Sequence, residues 1–184
     1  DEGEQQARML SSQIDPAVNA GIHLGWALWT LGIPDSALAV AEGALSSARR
    51  IGQPFGLAMA LLWVAVLRLW RGEQEAASPH QKELRHVTAE YNISSLAACA
   101  TVLEGQDLIA SGALERGIDV VLSGLSEFRR LRAGLGWPWA MSLIAEGYRN
   151  AGRYDDALRT VGEALAAVRR NDERHWEAEL YRIK

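Results

Sequence analysis

Ile144-Ala145-Glu146-Gly147-Tyr148-Arg149-Asn150-Ala151-Gly152-Arg153-Tyr154-Asp155-Asp156-Ala157 is the stretch that decides the fold. An apolar pattern at helical spacing runs up to Gly152. Turn-like residues follow, and a small residue, Ala157, stands five places beyond the glycine. The same phrase recurs at Gly32, Gly72 and Gly112, spaced 40 residues apart, with Ala37, Ala77 and Gly117 at the matching small position. A fixed period of this length marks a repeat array. Each period reads as two helices, separated by a glycine that adopts left-handed backbone easily and so ends the first helix. Stacked pairs bury faces against their neighbours and leave extended surfaces that bind other molecules. The period therefore predicts an all-α chain and a binding activity, without naming the ligand.

Working outward, the pairs fall at about residues 16–52, 53–91, 92–133 and 137–171 of a single domain over 1–184, with partial units at 1–12 and 173–184. In the first pair, Asp15 is a good N-cap and Pro16 suits the first helical position. Ile22, Leu24, Trp26, Leu28, Trp29 and Leu31 carry the pattern to Gly32. Pro34 opens a partner helix with Ala37, Leu38, Ala41, Ala44, Leu45 and Ala48 at spacings of three and four. In the second pair, Pro79 sits early in the partner helix (73–91), where it would delay or kink the helix. In the third, Gly117 and Gly124 make the second helix (114–132) the weakest by propensity, since each costs about 1 kcal/mol against alanine. Amide exchange is expected to be faster there than in the fourth pair. The closing segment carries Trp176, Leu180, Tyr181 and Ile183 with no second helix to cover them. A chain cut in mid-repeat, or an end buried on another molecule, is the expectation.

The bulk numbers exclude several classes. A net charge of −4 and the lack of a clustered basic face argue against nucleic acid. The pairs Arg49–Arg50, Arg129–Arg130 and Arg169–Arg170 fall near predicted helix ends, where they complement the helix dipole. The longest apolar run, Leu57 to Leu67, is well short of the roughly 20 residues that span a bilayer. One cysteine, Cys99, gives no disulfide, so a reducing, cytoplasmic setting fits. It reads as a small buried residue. His80 and His86 lie six apart, on different faces of one helix, a poor geometry for a metal. No phosphate-binding glycine loop is present. Serines lack a paired histidine, and Asp155-Asp156 sits at a helix start, where acids are favoured. No catalytic residue, cofactor or metal is expected.

The fourth unit, Ile144-Ala145-x-x-Tyr148-x-x-x-Gly152-x-Tyr154-x-x-Ala157-x-x-x-Val161-x-x-Ala164, resembles the tetratricopeptide (TPR) pattern. The first follows it with Leu24-Gly25-x-x-Leu28-x-x-x-Gly32-x-Pro34-x-x-Ala37-x-x-x-Ala41-x-x-Ala44. Arg68 and Leu84 depart from the pattern in the second unit, Glu104 and Leu108 in the third. The period is 40 rather than the usual 34 or so. With Leu24-Gly25-Trp26-Ala27-Leu28-Trp29 and the closing segment Glu173 to Arg182, this long form is similar to the repeat region of bacterial predicted ATPases joined to adenylate cyclase domains, and of LuxR-type regulators. The resemblance implies a right-handed solenoid of about four antiparallel helix pairs plus half-units. It also implies a groove lined by the first helices. Alignment on the turn glycines places Asn19, Ile22, Trp26, Trp29 and Thr30 there from the first unit, and Met59, Leu62, Val66, Leu69 and Trp70 from the second. The third supplies Cys99, Val102, Gln106, Ile109 and Ala110; the fourth supplies Trp139, Ser142, Glu146, Arg149 and Asn150.

All seven tryptophans, Trp26, Trp29, Trp63, Trp70, Trp137, Trp139 and Trp176, lie in or just before predicted first helices. Two readings compete: they fill gaps between helices, or they form an aromatic groove that grades to a polar end in the fourth unit. The second makes the chain a non-catalytic interaction or scaffold module of a larger bacterial signalling protein, with a protein or peptide partner. Self-association and effector binding for an attached ATPase or cyclase are the alternatives. No nucleic acid and no membrane enter the reading.

Overall fold

The computed structural model describes residues 14–131 and 136–184, apart from the side chain of Asn171. The proposed partial unit at 1–12 lies outside them. The chain divides into two compact units, Asp1–Ala97 and Ala98–Lys184.

Among the described residues there is no strand. Unit 1 contains α1 (Pro16–Thr30), α2 (Pro34–Ile51), α3 (Pro54–Trp70) and α4 (Gln74–Glu90). Helix α5 (Ser94–Ala110) crosses the division. Unit 2 continues with α6 (Leu114–Arg130), α7 (Trp137–Asn150), α8 (Tyr154–Asn171), a 3-10 turn (Arg174–Trp176) and α9 (Glu177–Ile183). Helices pack on their neighbours in sequence order: α1 on α2, α2 on α3 and α3 on α4 in unit 1, and α6 on α7, α7 on α8 in unit 2. This is an all-α array of helix pairs.

The stops are local chemistry. Asp15 accepts from the amides of Ala17 (2.9 Å) and Val18 (3.3 Å), capping α1 as its position predicts. Gly32, Gly72, Gly112 and Gly152 are all left-handed, with φ of 76°, 76°, 86° and 73°. After each, the next amide donates to a carbonyl five residues back: Ile33 to Leu28, Glu73 to Arg68, Ala113 to Leu108 and Arg153 to Tyr148, each at 2.9 Å. Those bonds satisfy carbonyls that a helix end leaves open. A second series interleaves with the first: Gly52, Asn92 and Asp172 are also left-handed, at φ of 74°, 54° and 56°. A left-handed connector thus recurs every 20 residues wherever the chain is described; position 132 lies outside the described residues.

Small residues set the spacing within pairs. A Cβ on Gly25 would lie 3.1 Å from the Ala37 carbonyl oxygen, and one on Gly21 2.9 Å from the Ala44 Cβ. The approach is closer still between α5 and α6. A Cβ on Gly105 would sit 2.5 Å from Val121 Cγ2 and 2.8 Å from the Gly117 carbonyl oxygen; one on Gly117 would sit 2.8 Å from the Ile109 amide nitrogen.

Two expectations change. Helix α4 begins at Gln74, so Pro79, exposed inside it, does not delay the start. The closing segment is not bare: Trp176, Leu180 and Ile183 are buried, because α9 packs on both α7 and α8, and Tyr181 is the exposed member.

Candidate functional site

Helix α1 has two differently built faces. Gly21 and Gly25 let α2 close in on one side. Trp26 and Trp29, three residues apart, share another. On α3, Trp63 and Trp70 lie seven apart, two turns along one stripe. Because α1 also packs on α3, the stripes meet. The Trp26 ring centroid is 4.7 Å from that of Trp63 at an interplanar angle of 80°, and 5.7 Å from Trp70 at 62°. Trp29 lies 5.2 Å from Trp70 at 37°. These are edge and tilted arrangements that suit aromatic quadrupoles. All four side chains are half-buried, so each contributes to packing and keeps part of its surface in solvent. The indole Nε1 of Trp63 is enclosed without a hydrogen-bond partner.

A charged lattice occupies the same end of α3. Arg68 pairs with Glu42 and, at 2.9 Å, with Glu73; Arg71 pairs with Glu73 at 2.6 Å and Asp35 at 2.7 Å. The hydrogen bond from Arg71, aided by Arg68, holds the Glu73 carboxyl below its ordinary value. The lattice ties α2 to the connector after α3, one pair to the next.

The aligned groove positions separate into classes. Trp26, Trp29 and Trp70 come together, and Trp63, which the alignment left out, joins them. Its two-turn spacing from Trp70 is the signal that could have found it. Met59 and Asn19 are half-buried and Thr30 is exposed. Ile22, Leu62, Val66 and Leu69 are buried. In unit 2, Val102, Ile109, Trp139 and Ser142 are buried, and a Cβ on Gly124 would meet Val102 at 2.7 Å, which places Val102 in the α5–α6 contact. Gln106 is half-buried with an enclosed, unpartnered Oε1; Ala110 and Asn150 are exposed. Glu146 and Arg149 come together at 3.2 Å, and Arg182 of α9 reaches Glu146 at 3.5 Å. Cys99 is half-buried, and the burial pushes its thiol up to about 12, so it stays protonated at neutral pH.

Among the described residues, no three His, Cys, Asp or Glu side chains converge as a metal-binding group. Among them, too, no helix is long and apolar enough to cross a membrane. The Trp26–Trp29–Trp63–Trp70 cluster is the candidate site. It offers partly exposed aromatic surface, with no nucleophile or acid–base pair within it. No protein-family model matches the chain, and no curated protein matches it.

Proposed function

We propose that the chain is a non-catalytic recognition module of tetratricopeptide type, a right-handed stack of helix pairs that binds a protein or peptide partner. The observation that carries this reading is the cluster of four half-buried tryptophans on the first helices of two successive pairs. Tryptophan anchors partners well because it buries much area while few torsions freeze. The partner would present apolar side chains to the cluster. By the resemblance, the module is an arm of a larger bacterial, cytoplasmic signalling or regulatory protein.

Peptides selected from a random display library on the whole chain, then tested against Trp29→Ala, examine this reading. The expected result is a set rich in Leu, Phe and Met whose binding is lost in the variant, while melting falls by no more than about 8 °C. Selection of no peptide, or peptides that bind the variant equally, overturns it. Light scattering against concentration on the same samples detects self-association through this surface.

A further inference from the structure

Unit 2 holds a half-open cavity of about 220 Å³ lined by α6, α7 and α8. Helix α7 contributes Trp137, Met141, Ile144 and Tyr148, spaced four, three and four residues apart and so along one face. The floor is apolar: Leu125, Met141 and Ile144 are buried. The two aromatic residues stand toward the two ends of this stripe and are half-buried.

The rim is charged. The Arg129 guanidinium stacks over the Trp137 ring, 4.5 Å from its centroid. Among the described residues Arg129 forms no ion pair. Arg159, also on the rim, is held by Asp156 at 2.6 Å. Glu163 stands one turn beyond Arg159 and, among the described residues, has no cationic partner. Two of the hydroxyls at the cavity already donate within their own helices: Thr160 to the Asp156 carbonyl at 2.8 Å and Ser126 to that of Ser123 at 2.7 Å; the third is the phenol of Tyr148. What an occupant meets is an apolar floor, Trp137 with Arg129 stacked on it, Tyr148 with its hydroxyl and with the Arg153 guanidinium 4.4 Å from its ring centroid, and one carboxylate.

We propose that this cavity is a second binding site, for a small organic carboxylate with an apolar body. The floor and rings exclude water from the body. Arg129, fixed on Trp137, presents a planar fork that fits a carboxylate. Glu163 repels a second negative charge and accepts a hydrogen bond from an ammonium or hydroxyl. The volume lies just below the range of about 300–1,000 Å³ of sites for drug-sized ligands, which limits the occupant to a molecule of amino-acid size. The site does not depend on the tryptophan cluster of unit 1.

Calorimetric titration of the whole chain uses 3-phenylpropionate, phenylalanine, neutral 3-phenylpropanol and the dianion phenylsuccinate. The expected result is saturable binding of 3-phenylpropionate with Kd of about 0.1–1 mM, and tenfold or weaker binding of the alcohol. Arg129→Gln is expected to weaken the acid to the level of the alcohol, and Glu163→Gln to raise the affinity for phenylsuccinate. If phenylalanine binds more tightly than 3-phenylpropionate, the occupant is an amino acid held at both ends. If it binds more weakly, the occupant is a simple acid; both outcomes support the site. Absence of saturation for both acids by about 10 mM, or equal affinity for acid and alcohol on the native chain, overturns it. The acid–alcohol comparison needs no variant and stands whatever Arg129→Gln does to folding.

Discussion

Glycine stands in three different settings here, and substitution by alanine tells them apart. At Gly112 a Cβ would meet nothing within 4 Å, but the backbone is left-handed at φ 86°. Gly112→Ala is therefore expected to cost about 1–2 kcal/mol by conformation alone. At Gly105 the backbone tolerates alanine but space does not: a Cβ would lie 2.5 Å from Val121 Cγ2. Gly105→Ala is expected to cost about 1–3 kcal/mol despite its better helix propensity. Gly43 and Gly162 lie within α2 and α8 with nothing within 4 Å of an added Cβ. Alanine at either is expected to gain about 1 kcal/mol. Denaturant midpoints of the four variants check all of this, and a gain at Gly105 would remove the close-packing argument. The 40-residue series was legible because glycine marks it each time. The interleaved series was not, because Gly52, Asn92 and Asp172 differ in type and share only a conformation. Nor could the residues alone tell a glycine required by space from one that merely weakens a helix, since that depends on what lies opposite.

At the scale of helices, packing and propensity disagree about α6. Its glycines lower its intrinsic helicity, yet Gly117 and Gly124 seat it directly on the α5 backbone. Packing usually outweighs propensity in a folded chain, so α6 is expected to exchange amide hydrogens no faster than α8. Faster exchange in α6 would favour propensity. Helix α4 gives a pH effect. Burial, with smaller contributions from Arg68 and Arg49, lowers the His80 imidazole below its ordinary value, while its Nδ1, 3.0 Å from the Ala76 carbonyl oxygen, and Glu83 work the other way. His175 is lowered too, by burial. Between each lowered value and about 6.5, the unfolded chain binds a proton that the folded chain does not. Stability from this source is thus complete above about pH 6.5 and falls as the pH drops toward the folded-state values. Melting temperature is expected to decline from pH 7 to pH 5, and His80→Gln to flatten the slope. An unchanged slope would show that other groups set it. Helix starts such as Asp15–Pro16 were readable from local chemistry. The Trp63 contact and the ionic tie of Asp35 to Arg71 were not, because they join residues more than 30 positions apart.

For the molecule as a whole, the period carried the all-α architecture, and side-chain roles were harder to read. Alignment on glycines assigned Ile22, Leu62 and Val102 to a groove, whereas each is buried. In a helix hydrophobic on most sides, such as α3, spacing alone does not say which apolar face meets a neighbour. The cavity of unit 2 escaped because its walls come from three helices and its residues form no motif. Stacked arrays pass disturbance mainly to adjacent members. Gly105→Ala is accordingly expected to speed amide exchange in α5, α6 and α7 and to leave α1 and α2 unchanged. Uniform acceleration would show that the whole chain opens as one.

The left-handed connectors also bear on how such a chain could change size. Segments bounded by equivalent stops carry their own starting and finishing conformations. Duplicating one during gene copying would lengthen the molecule without inventing a new turn, and losing one would leave no broken helix behind. Growth and shrinkage in whole steps are thereby built into the backbone itself, largely independent of which side chains each copy later acquires.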